Sequence, residues 1–131
     1  MKSDKSWERV LRCAQSALDK KAYDLVVLEV DTLTSVADYF LLCTGRSDIQ
    51  VRSICQAIEE SLAKIGVRPL AIEGFTHGQW VLMDFGDVVV HIFYETVRQF
   101  YNLEGLWAQA PQCVLPEPYH TQAQGLRTAT A

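Results

Sequence analysis

GDVVVHIFYETVRQFYNLEGLW, residues 86–107, decides how the rest of the chain is read. Three valines run into His91, and Phe93, Tyr94, Phe100, Tyr101 and Trp107 crowd the residues that follow. A run this rich in β-branched residues, bounded by Gly86 and Asp87, has the composition of a buried strand. Side chains alternate across a strand, so Val88, Val90, Ile92 and Tyr94 fall on one face and Asp87, Val89, His91 and Phe93 on the other. Two questions follow: whether His91 is a ligand or catalyst, and whether the aromatics are core or a docking surface.

Working outward, QWVLMDF (79–85) is a second strand, and Phe85-Gly86-Asp87 is the tight hairpin link between the two. RPLAIEG (68–74) is a third, and a short closing helix is expected over 95–103. Upstream, Val51, Ile54, Cys55, Ile58, Leu62 and Ile65 form one apolar helical stripe. Ser47 and Gln50 give it the S-x-x-Q start of a capping box, and Gly66 stops it. YDLVVLEV (23–30) and DYFLLCTG (38–45) are buried strands, and Trp7, Val10, Leu11, Ala14 and Leu18 mark an N-terminal helix. The order is α-β-β-α-β-β-β-α: a single α/β domain over residues 1–110, with a mixed five-stranded sheet and flanking helices. Residues 111–131 carry three prolines and little apolar periodicity and are expected to form a mobile C-terminal tail.

Size and composition agree with one globular domain: 131 residues, 49% apolar and 21% charged. No apolar run nears the roughly 20 residues of a membrane span, and the N-terminus lacks an apolar secretory core, so a cytoplasmic protein is expected. Cys13, Cys43, Cys55 and Cys113 show no C-x-x-C spacing; they are expected as structural thiols in a reducing compartment. Residues 1–21 hold six Lys/Arg against three acids, whereas the remainder holds six against thirteen. An acidic body argues against gripping phosphate backbones, so no direct sequence-specific nucleic-acid binding is expected, and it favours a basic protein partner. Acidity that serves only solubility is equally common.

Enzymatic readings each lack a part. His91 has no H-x-x-x-H or H-x-E companion, so a metal or acid–base role loses to a satisfied strand histidine. TGRSD (44–48) puts a Gly-Ser turn at a helix N-terminus, where an anion is favoured, but neither phosphate-loop pattern is present. A nucleotidyltransferase would need a paired-carboxylate strand after that helix, and none follows. There is no G-x-S-x-G elbow. No cofactor, metal site or catalytic residue is therefore expected. The aromatics remain. Glu73, Asp84, Asp87, Glu95 and Glu104 flank Trp80, Tyr94, Tyr101 and Trp107, and Arg98 is the sole Lys or Arg between positions 70 and 106. Aromatic anchors ringed by acid suit docking on a basic protein, though such residues are more often core. Phe93 and Phe100 are expected in the core.

LTSVADYFLLCTGRSDIQVRSI (33–54), IEGFTHGQWVLMDFGDVVVHIF (72–93) and RQFYNLEGLWAQAP (98–111) together resemble the Iojap-like ribosomal silencing factors. The likeness runs from about Asp24 to Pro111. It implies a non-enzymatic binder with a nucleotidyltransferase-like fold that lacks the catalytic carboxylates. It also implies binding to the large ribosomal subunit through large-subunit protein fourteen, a small basic β-barrel, which blocks joining of the small subunit and represses translation. A large-subunit assembly factor using the same site and a nucleotide-binding or transferase enzyme are the alternatives. By motif position Trp80 belongs to the interface, with Tyr94, Glu95 and Tyr101 at neighbouring positions; Asp84 and Glu73 complete the expected protein-binding set. An apolar aromatic patch can also self-associate, so a homodimer of the free protein stays open.

Overall fold

The computed structural model describes residues 4–117 and 119. Helix α1 (Asp4–Asp19) leads into strands β1 (Tyr23–Glu29) and β2 (Tyr39–Gly45), then helix α2 (Asp48–Ala63). Strands β3 (Ala71–Glu73), β4 (Trp80–Asp84) and β5 (Val88–Tyr94) follow, then helices α3 (Glu95–Tyr101) and α4 (Leu103–Leu106) and strand β6 (Gln112–Cys113). The sheet has six strands in the order β3-β4-β5-β2-β1-β6. Only the central β2–β5 pair is parallel; the other neighbours run antiparallel.

The central strands are apolar on both faces because both faces are covered. In β5, Val88, Val90 and Ile92 join the core beneath α1 and α2, with Leu25, Val27, Leu41 and Cys43 from the neighbouring strands. The alternate residues Val89 and Phe93 join a second core with Val26, Leu28, Phe40 and Leu42, closed by Leu103 and Ala110. Strand alternation read from sequence therefore assigns each β5 side chain to its observed face.

Local chemistry sets the element ends. Ser47 caps α2: its hydroxyl oxygen accepts from the Gln50 backbone N–H at 3.0 Å. The Gln50 side chain reaches past the cap to the Arg46 N–H at 2.6 Å and donates to the Lys20 and Lys21 carbonyls, binding α2 to the turn after α1. Gly86, at φ 92°, makes the β4–β5 turn, a left-handed conformation that costs glycine no Cβ clash. The Ser6 hydroxyl lies 2.9 Å from an Asp38 carboxylate oxygen and 2.8 Å from one of Asp87, and Arg9 pairs with Asp87 at 2.8 Å. These bonds pin the start of α1 to the sheet.

Three expectations need correction. The sheet has a sixth strand, because residues 112–113 pair with β1 and Leu115 inserts into the α1/α2 core. The start of the expected tail thus belongs to the fold; a two-residue strand between prolines is too short to show periodicity. Residues 118 and 120–131 lie outside the described residues. The closing helix is two helices, broken at Asn102, which adopts φ 46° and ψ 55° and whose side chain accepts from the Gly105 N–H. Phe100 is 82% exposed rather than core, because Val97 and Arg98 set the inward side of α3 and Phe100 lies off it, while Phe93 is fully buried as expected.

Candidate protein-binding site

The α3/α4 face is roofed by helices of seven and four residues, against sixteen residues for each of α1 and α2. So short a roof lies over β5 and β2 and reaches β4 at Trp80. Trp80 opens β4 on this face and is only half-buried. Its register partner on β5 is Phe93, with ring centroids 5.1 Å apart, and Tyr101 from α3 approaches the same indole at 5.1 Å. Trp80, Tyr101, Val97, Gly74, His77 and Gln79 line a shallow depression of about 360 Å³. Tyr101 is 56% exposed and stands edge-on to Phe100 at 5.2 Å. Farther along the face, Leu106 is 81% exposed beside a hollow of about 440 Å³ that Leu33 and Trp107 also line. Exposed apolar patches of this kind mark protein contacts.

His91 lies two residues from Phe93 on the same strand face, diagonal to Trp80. It is 4% exposed, and its Nδ1 accepts a hydrogen bond from the Trp80 indole N–H at 3.1 Å. An indole N–H can only donate, so Nδ1 carries the lone pair and the ring proton sits on Nε2. Nε2 is buried and has no hydrogen-bond partner among the described residues. Burial lowers the imidazole pKa from 6.5 to about 4, so the ring is neutral near pH 7. Among the described residues, no three His, Cys, Asp or Glu side chains cluster as metal ligands would.

The expected site residues separate. Trp80 and Tyr101 are in contact, and Asp84 and Glu73 share their sheet face by strand alternation. Tyr94 packs on the opposite face, against the α1/α2 core. Glu95 accepts from the Tyr23 hydroxyl, and burial, then this bond, pushes that phenol up to about 12. The acidic ring is largely committed inside the molecule. Asp84 accepts from the Gly86 N–H at 2.8 Å, Asp87 holds Arg9, and Glu104 pairs with Arg98 at 2.9 Å. Glu73 is exposed on β3. Arg98, far from being a free cation, is buried and bonds the Asp24 carbonyl at 2.6 Å and the Thr44 hydroxyl at 2.7 Å, clamping α3 and α4 to β1 and β2.

Sequence reasoning missed Gly74. At φ 83°, a Cβ built there would lie 2.1 Å from the Trp80 carbonyl oxygen, so any other residue would displace the strand end that carries the indole. The sequence signal was a glycine closing one strand before a polar loop. Three of the four cysteines behave as buried apolar groups: burial pushes the Cys13, Cys43 and Cys55 thiols up to about 12, which disfavours the reactive thiolate. No helix of the described residues is long and apolar enough to cross a membrane.

The protein family described as "Ribosomal silencing factor during starvation" matches residues 3–131. The ribosomal silencing factor RsfS of Bacillus subtilis (strain 168) is 45% identical over 103 residues, covering 78% of this chain and 87% of that one. The chloroplastic protein Iojap of Arabidopsis thaliana is 37% identical over 103 residues, covering 79% of this chain and 43% of that one. A crystal structure from Bacillus halodurans is similar with a TM-score of 0.72 and 38% identity, covering 82% of this chain and 99% of that one.

Proposed function

The chain belongs to the ribosomal silencing factor family, and from that membership we propose that it represses translation by occupying the large ribosomal subunit. In this reading it binds large-subunit protein fourteen through the Trp80–Tyr101 surface and blocks the small subunit sterically, in the cytoplasm. The α/β scaffold, of nucleotidyltransferase type, serves here as a binding platform and not as a catalyst. The observation that carries the reading is the half-buried indole of Trp80 in contact with exposed Tyr101, which in turn stands edge-on to exposed Phe100. An interface of standard size covers about 800 Å² per partner, and aromatic anchors supply most of its energy. The acidic character of the chain beyond residue 21 supports a basic partner through its field, although most carboxylates near the patch already have internal partners.

Blocking by occupancy needs no chemistry, so potency follows affinity and concentration. Co-sedimentation with isolated large and small subunits, followed by a subunit-joining assay, tests the proposal. Binding to the large subunit alone with joining inhibited is the expected result; binding without inhibition would leave an assembly role, and no binding would end the reading. Trp80→Ala is expected to cost about 2 kcal/mol of affinity with the fold retained. A folded Trp80→Ala protein with undiminished affinity would remove this surface from the contact.

A further inference from the structure

We propose that His91 is a positioning residue for binding: its Nδ1 lone pair holds the Trp80 indole in the orientation that a partner meets. The proposal rests on the Trp80–Tyr101 surface being the contact, as argued above. A free tryptophan at the edge of a sheet turns about two side-chain bonds, and fixing it on binding costs affinity. Here the fixing is done in advance. Phe93 lies against the indole from the strand opposite, Tyr101 flanks it from α3, and His91 takes its single polar atom.

The other ring nitrogen, Nε2, points to a purpose beyond packing. A buried polar atom without a partner costs free energy, and Nε2 of His91 is such an atom. The remaining partners of the ring are aromatic: Phe40 lies edge-on at 4.9 Å and Phe93 is stacked at 6.2 Å. Leucine or phenylalanine would fill such surroundings without an orphaned N–H. What either would lack is an acceptor for the indole. The histidine at this position is therefore accounted for by the bond that it makes to Trp80.

Removing that acceptor tests the idea. His91→Leu removes it while keeping an apolar filling, and His91→Asn keeps an oxygen near the place of Nδ1. Two quantities are read: exchange of the Trp80 indole proton by NMR, assigned by the resonance lost in Trp80→Phe, and equilibrium binding to purified large ribosomal subunits. In His91→Leu, indole exchange should accelerate and affinity should fall about tenfold, the worth of one well-placed hydrogen bond. His91→Asn should restore much of both. A purely structural histidine would leave indole exchange slow whenever the variant folds. Should His91→Leu fail to fold, replacing Trp80 by its benzothiophene isostere removes the donor instead and should give the same tenfold fall. Full affinity in either donor-free or acceptor-free protein would overturn the proposal. If the wild-type protein does not bind large subunits, the functional reading fails, while the exchange rates still decide whether His91 holds the indole.

Discussion

The two faces of this sheet are built from the same strands by the same alternation, yet only one is closed. Beneath α1 and α2, Val10, Cys13, Ala14 and Ala17 meet Val51, Ile54, Cys55 and Ile58 over the sheet, and all of these are completely buried. Beneath α3 and α4 the core is as dense at its centre, where Leu42 and Phe93 are fully buried. It ends early, because the covering helices together have fewer residues than α1 alone. What is left uncovered includes Tyr101, Phe100 and Leu106. The contrast teaches where to look for function: both faces show the periodicity of a core, and the shorter cover leaves one of them available to a partner.

The largest test is on the closed face. Ile54 is fully buried on α2, so Ile54→Ala should remove about 4 kcal/mol of stability through lost burial and the cavity left behind. Urea denaturation would measure it. A loss below about 1 kcal/mol would mean that this face is not the packed one, and the comparison would break there.

Acid should strike the other face. His91 has a pKa of about 4 in the fold against 6.5 as a free side chain, with burial as the cause. Between these values the unfolded chain takes up a proton that the folded chain refuses, so stability is full above pH 6.5 and declines as pH falls toward 4. The decline attributable to this one residue is about 3 kcal/mol. It should appear as a loss of that size in wild-type relative to His91→Leu protein as pH falls across that window. Parallel stability curves would show that His91 is wetter than the fold places it.

How much of this could be read beforehand divides along the same line. The strands, the α2 stripe with its Ser47 cap and the hairpin at Gly86 were legible because burial on each side writes a period into the sequence. Trp80 and Tyr101, expected together from the motif resemblance, lie in contact. Tyr94, expected at the contact by motif position, lies on the opposite face, where strand alternation read from the sequence puts it. Phe100 was misjudged because a helix of seven residues has too few turns for its sequence to show which side is inward. The carboxylates near the patch looked like a free acidic rim. The partners Arg9, Ser6 and Tyr23 come from distant parts of the chain, and pairings at such separations are invisible to local pattern, whereas Arg98 meets Glu104 six residues on, across the helix break at Asn102. The Trp80–His91 bond was hidden likewise, since it depends on the β4–β5 register.

Phe100 gives the smallest effect on the fold and the sharpest test of where the open face ends. Its ring touches Tyr101 edge-on but otherwise faces solvent, so Phe100→Ser should change stability by no more than about 0.5 kcal/mol. An exposed phenylalanine that the fold does not need is a cost to solubility, which a contact with a partner would offset. Affinity for the large subunit should therefore fall about threefold to tenfold in Phe100→Ser, with an unchanged urea midpoint. Unchanged affinity would place the edge of the contact at Tyr101. A large loss of stability would show instead that Phe100 packs against the domain, and the second face would be more nearly closed than the first comparison holds.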